Sequence, residues 1–227
     1  ELNSEVYGAF GASDKEVHKY NNGGNTWGSS LFTLPAAAIS SLNFTLNGTE
    51  YLAFAHTGGY TYTSDGSNYT DDTTDTLYMT FWDDRLWGIN NTGQLWFSLT
   101  IGTEVTDALL PLPAGYINNM FTGPDKDGDE IIYVATEIGL YAHDAANARF
   151  VKTGLVIPQH AQGGLGSCTW NGLIYYAAGM SVYEYDPRRG VIISMGLDQE
   201  HGLNAPHRGR IEFLIPTHKG LIAGVTN

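Results

Sequence analysis

The feature that most constrains this chain is a phrase that recurs along it. A short apolar strand leads to a strand of small residues, then a glycine turn, then an aromatic-alternating strand that ends in Asp, Asn or Ser. The last of these reads Val17-His18-Lys19-Tyr20-Asn21, Tyr60-Thr61-Tyr62-Thr63-Ser64, Leu95-Trp96-Phe97-Ser98, Leu140-Tyr141-Ala142-His143-Asp144 and Val182-Tyr183-Glu184-Tyr185-Asp186. The strands before them match each other as well: Leu52-Ala53-Phe54-Ala55, Leu86-Trp87-Gly88-Ile89, Ile132-Tyr133-Val134-Ala135, Ile174-Tyr175-Tyr176-Ala177 and Leu221-Ile222-Ala223-Gly224. A period of about forty residues with several strands per unit points to radial β repetition. No stretch of ten or more residues keeps a helical spacing, so the chain reads as all-β.

The connectors repeat too. Leu34-Pro35, Leu112-Pro113, Ile157-Pro158 and Ala205-Pro206 precede the first strand of a unit. A proline cannot donate to a ladder, so it marks the crossing between sheets. Within units the strands are joined by hairpin chemistry at Asn47-Gly48, Gly58-Gly59, Asp83-Asp84, Asn171-Gly172 and Lys219-Gly220. The expected units are 5–34 with three strands, then 39–72, 75–110, 116–156 and 166–196 with four each, and a partial unit over 210–227. All 227 residues are expected to form one domain, within the size range of single all-β domains. The last strand would stop with an unpaired edge, which folded proteins avoid. The expectation is that the chain continues past Asn227 or pairs there with another chain.

These units resemble the blades of a β-propeller, over essentially the whole chain, with five to six blades represented. Two hairpins, Tyr20–Trp27 and Tyr62–Tyr69, resemble the Asp-box of sialidase-type and sortilin-type propellers. Both keep a glycine and an aromatic anchor, and neither keeps the Ser and Asp in register. The connectors and strand style are similar to propellers of phage tail and other virion proteins. That resemblance implies a rigid binding or structural module, not an enzyme. It would sit on a virion, tail or other extracellular surface and engage a protein or a glycan, alone or assembled with other chains. A secreted cell-adhesion module is the neighbouring alternative. A sialidase-like glycoside hydrolase or lyase at the propeller mouth is the enzymatic one. Against the latter stand only six arginines and no Arg-Ile-Pro opening.

The formal charge is −13, and three basic against thirteen acidic side chains fall in residues 1–113. Such a surface repels phosphate backbones, which excludes nucleic acid as a partner. No apolar run approaches the roughly twenty residues of a membrane helix, so no membrane insertion is expected. The single cysteine, Cys168, excludes an internal disulfide.

Two sets of residues carry the functional expectations. In Asp125-Lys126-Asp127-Gly128-Asp129-Glu130 alternating carboxylates on a tight loop suit Ca²⁺, a hard cation that takes six to eight oxygens. The strand that follows resembles the one after the calcium loop of integrin-type propeller repeats, which makes Asp125, Asp127 and Asp129 the matching ligands. The competing reading is an acidic, solvated hairpin, because Asp and Gly are also what turns select. Propeller geometry places the connectors and the turns between second and third strands on one face. That face would present Asn90, Glu137, His160, His207 and Arg208 to a ligand.

Overall fold

A computed structural model describes residues 2–10, 14–111, 116–157, 159–179, 181–194 and 210–226. The chain divides into two compact units, Glu1–Asp107 and Ala108–Asn227.

The first unit opens with a three-stranded sheet of β1 (Tyr7–Phe10), β2 (Glu16–Asn21) and β3 (Thr26–Thr33). A four-stranded sheet follows: β4 (Ala38–Leu46), β5 (Thr49–His56), β6 (Gly59–Thr63) and β7 (Thr70–Asp72). The next comprises β8 (Tyr78–Trp82), β9 (Arg85–Ile89), β10 (Gln94–Ser98) and β11 (Glu104–Leu109), whose last strand runs across the unit boundary. The second unit holds β12 (Ile117–Pro124), β13 (Glu130–Thr136), β14 (Gly139–Asp144) and β15 (Arg149–Lys152) in one sheet. Another comprises β16 (Cys168–Trp170), β17 (Leu173–Ala178), β18 (Ser181–Asp186) and β19 (Val191–Ser194). Last comes a two-stranded sheet of β20 (Arg210–Pro216) and β21 (Leu221–Thr226).

The fold is thus all-β, built from four-stranded antiparallel meanders at the places the repeat predicts. Each strand pairs with its neighbour in sequence, as blades of a propeller do, and among the described residues no sheet closes on itself. The turns set the register. Asn47, Asp83, Asp84 and Asn171 all take positive φ, the geometry that suits a two-residue hairpin to twisted strands.

Burial follows strand order. Leu52–His56 of β5, Leu86–Ile89 of β9, Ile132–Thr136 of β13 and Ile174–Ala177 of β17 are buried without interruption. These second strands have a strand on each side and packed side chains on both faces, so alternation gives way to continuous apolar sequence. The outer strands β7 and β15 are largely exposed.

Small residues in the second strands make room for rings. Trp96 of β10 is 3% exposed and lies against Gly88 of β9, where an added Cβ would stand 2.1 Å from the ring. Trp96 also stacks on Tyr60, with ring centroids 5.7 Å apart. Across the second unit, Tyr133, Ala135, Leu140, Ile174, Tyr176 and Tyr185 form the equivalent core between the third and fourth four-stranded meander elements β13, β14, β17 and β18.

The second Asp-box-like hairpin works as a folding device. Asp65 accepts from the backbone N–H of Asn68 (2.7 Å) and Ser67 (2.8 Å) and from the Asn68 amide (2.6 Å). Those bonds, first among them the Asn68 backbone, hold its carboxyl well below the usual range. Thr63 Oγ1 accepts from Gly66 N–H at 2.9 Å. Tyr69 is the aromatic anchor and stacks on Phe32, centroids 4.6 Å apart. The device survives a register shift because what it needs is an acceptor facing the turn's free N–H groups, not a fixed letter at a fixed place.

Candidate functional site

In the second unit three chain segments meet at one end of neighbouring sheets. They are the β13–β14 turn, the β17–β18 turn and residues 159–167 leading into β16. Backbone hydrogen bonds lace them together. His160 N–H donates to Glu137 O (3.0 Å), Gly163 N–H to His160 O (2.7 Å) and Gly164 N–H to Ala177 O (2.6 Å). Asn118 of β12 reaches over and donates its amide to the carbonyls of Ala161 (3.2 Å) and Gly163 (2.8 Å). The Tyr176 hydroxyl donates to Thr136 O, and the neighbouring Asn119 amide to Ser167 O at 2.7 Å. A loop with so many satisfied carbonyls is a frame and not a tether.

This frame brings together two of the residues expected on the ligand face, Glu137 and His160. His160 Nδ1 accepts from Gln162 N–H at 3.2 Å, so the neutral ring carries its proton on Nε2. The ring then lies beside Gly179, where an added Cβ would be 3.2 Å from Nε2. Gly179 also takes φ +62, so a side chain there is disfavoured by both backbone and space. Glu137 is half-buried, and its charge helps to raise Tyr176, after the larger effect of burial. The pair offers one N–H donor and one carboxylate acceptor on a rigid support. That suits recognition of a ligand rich in hydroxyl or amide groups.

The other expected residues are not gathered there. Asn90 belongs to the first unit and caps its own turn: Oδ1 accepts from Thr92 N–H (3.0 Å), Gln94 N–H (2.9 Å) and the Thr92 hydroxyl (2.7 Å). His207 and Arg208 lie outside the described residues.

The Asp125 loop, expected to suit calcium, is a tight hairpin whose backbone engages one carboxylate oxygen. Asp125 Oδ1 accepts from the backbone N–H of Asp127 (2.8 Å) and Asp129 (2.9 Å), which turns that carboxylate into the hairpin. Asp127 pairs with Lys126. Among the described residues no three His, Cys, Asp or Glu side chains converge as a cation site. The two bonds to Asp125 are those of an Asx-type turn.

Two polar arrangements went unmarked in the sequence. Tyr60, fully buried, donates to Glu104 Oε1 at 2.6 Å, while Thr74 donates to the other oxygen at 3.3 Å. Burial first, then the bond to Glu104, pushes the Tyr60 hydroxyl far up. In β5, buried His56 places Nε2 3.0 Å from Thr61 Oγ1, which donates to Asp71 at 2.5 Å. The partners in the first case are 44 residues apart, and no local pattern couples them.

No protein-family model matches the chain, and no curated protein matches it. Solved structures do. The extracellular domain of the hybrid two-component system BT4673 of B. thetaiotaomicron is similar over 100% of this chain, with TM-score 0.72 and 20% identity. That of BT3049 from the same organism is similar over 97%, with TM-score 0.67 and 15% identity. BBS1N, solved in complex with ARL6DN, is similar over 98% of this chain and 72% of its own, with TM-score 0.67 and 14% identity. The chain spans only 30% of each of the two Bacteroides domains. At these identities the likeness is one of fold.

Proposed function

We propose that this chain is an extracellular, non-enzymatic binding module of β-propeller type, with ligand contacts carried by the turns at one end of its sheets. The observation that supports this reading most directly is the fold likeness over the full chain to extracellular domains of sensor systems. The frame around Glu137 and His160 adds a rigid polar surface of the kind such a module uses. A protein or a glycan is the ligand class that the donor–acceptor pair fits, and BBS1N, solved with a protein partner, shares the fold. Placement on a virion or tail is the narrower form of this reading, and its support is the style of the sequence alone.

The enzymatic alternative draws on one further fold neighbour, an ancestral GH74 enzyme with TM-score 0.60 and 14% identity. Three acids on the strands accept from hydroxyl groups, and no observation marks any of them as catalytic. Glu104 accepts from Tyr60, Glu184 from Tyr175 at 2.9 Å, and Glu212 from Thr226 at 2.7 Å.

The test is binding to an immobilised glycan panel and to surface-protein extracts, followed by titration of each hit with Glu137→Gln and His160→Ala. Each substitution removes one ligand hydrogen bond of about 1–1.5 kcal/mol, so affinity should fall roughly fivefold to tenfold. Hits that bind both variants as tightly as the parent chain would remove the site. Release of new reducing ends from a bound glycan would replace the module with an enzyme.

A further inference from the structure

Three polar side chains are linked on one face of the β4–β7 sheet. β5 and β6 pair Phe54 with Thr61 and His56 with Gly59, and β6 and β7 pair Thr61 with Asp71. Side chains two apart on a strand, or opposite across a pair, share a face, so Phe54, His56, Thr61 and Asp71 stand together. Phe54 joins Leu2, Val17 and Leu34 in a buried cluster there. His56 is 3% exposed and Thr61 fully buried, whereas Asp71 lies at the surface.

The hydrogen bonds fix where the protons sit. His56 Nδ1 lies 3.2 Å from Thr57 O, a carbonyl that can only accept, so Nδ1 carries a proton. Thr61 has one hydroxyl proton, and Asp71 Oδ1 takes it at 2.5 Å, since an ionised carboxylate can only accept. Thr61 Oγ1 then presents only lone pairs to His56 Nε2, 3.0 Å away, so Nε2 carries a proton too. A flipped ring gives no other solution, because it sets carbon atoms against both oxygens. Other ionisable groups of the adjoining strands and turns have their own partners or face solvent. Asp72 Oδ1 accepts from Thr74 N–H, and Tyr60 donates to Glu104. Toward the β1–β3 sheet, Tyr7 donates to Glu5, which pairs with Lys19, and Lys15 reaches Pro35 O at 3.5 Å. Asp14 is exposed. Asp71 is therefore the counter-charge, one hydroxyl away from the ring.

We propose that a relay from Asp71 through Thr61 holds His56 as an imidazolium, and that the charged ring clamps the β5–β6 turn through its bond to Thr57 O. A buried charge is costly unless paired and hydrogen-bonded, and the relay supplies both conditions. Removing the Asp71 charge removes the reason for the second ring proton. Loss of that proton from Nδ1 releases the Thr57 carbonyl. Loss from Nε2 sets its lone pair against those of Thr61 and pushes the ring out of place. Either way the turn answers to a charge at the surface of β7, two strands away in sequence.

Nitrogen-15 NMR of the whole chain at pH 8 tests this, well above the ordinary histidine value of about 6.5. Nitrogen shifts read through the ring carbon protons report which ring nitrogens are protonated. His56 should show both. Asp71→Asn, at an exposed position, should leave one protonated. Amide exchange at Gly58 and Gly59 should then quicken roughly fivefold to tenfold, the loss of one hydrogen bond. Thr61→Val should also leave one, while Thr61→Ser, which restores the hydroxyl, should keep both. A singly protonated His56 in the parent chain at pH 8 would overturn the proposal. So would two ring protons in Asp71→Asn or Thr61→Val, or turn exchange that does not change in Asp71→Asn.

Discussion

Substituting Gly88→Ala tests how tightly the first unit packs its inner strands. The new methyl would stand 2.1 Å from Trp96 Cζ2 and 2.3 Å from Cε2, against about 3.5–4.0 Å for a relaxed carbon contact. The ring must therefore retreat by more than an ångström. It has little room, being 3% exposed and stacked on Tyr60, which is itself buried and bonded to Glu104. Overpacking of this kind costs about 1–3 kcal/mol, and the rigid surroundings put this site near the upper figure. For a chain of this size about 3 kcal/mol lowers Tm by roughly 6–12 °C. Chemical denaturation read by tryptophan fluorescence and by circular dichroism measures it. Trp96→Leu alone should also destabilise, through the cavity it leaves. The double substitution should cost clearly less than the sum of the two, because the methyl fills part of that cavity. A Gly88→Ala variant within 0.5 kcal/mol of the parent, or strict additivity in the double variant, would refute the packing account.

Three further outcomes follow from the same geometry. The Asp65 carboxyl is held low by backbone donors, so its contribution is present above the unfolded value near pH 4 and is lost as pH falls through the folded one. Asp65→Asn should flatten the acid limb of a stability–pH curve between pH 4 and 2, and an unchanged limb would count against the turn bonds. Burial raises the hydroxyls of Tyr60, Tyr133 and Tyr176, which keep their protons where the unfolded chain has lost them. Stability should be level up to about pH 10 and decline above it, and a urea midpoint constant to pH 11 would contradict this. Gly179→Ala should cost about 1–2 kcal/mol for its left-handed backbone and displace the His160 ring. The His160 resonances in NMR should shift while those of His56 stay, and the reverse would show that the two are not neighbours.

How much of this was legible beforehand depends on the range of the interaction. Strand positions were readable because the signals are local: alternation in Val182–Asp186, two-residue turns at Asn47-Gly48 and Asn171-Gly172, and apolar runs in the second strands. Glu137 and His160 could be named as loop residues, but their meeting depends on a backbone bond across 23 positions of sequence. The Asp125 loop shows the opposite case. Its letters fit a cation site and a turn equally well, and the structure adds the two backbone bonds that Asp125 Oδ1 accepts. Tyr60 and Glu104 had no signal at all, since neither residue type nor spacing marks a pair 44 residues apart.

The sequence by itself determined the class of structure: an all-β chain of repeated antiparallel meanders, its hairpin turns, and a strongly acidic net charge. Those properties are set by side-chain periodicity, turn chemistry and summed charge, each of which acts over a few residues or over none in particular. Tertiary structure alone decided which carboxylates face solvent and which face their own backbone, and which tyrosines lose contact with water. Those outcomes depend on what distant segments place against a residue, and packing settles that only when the whole unit has formed.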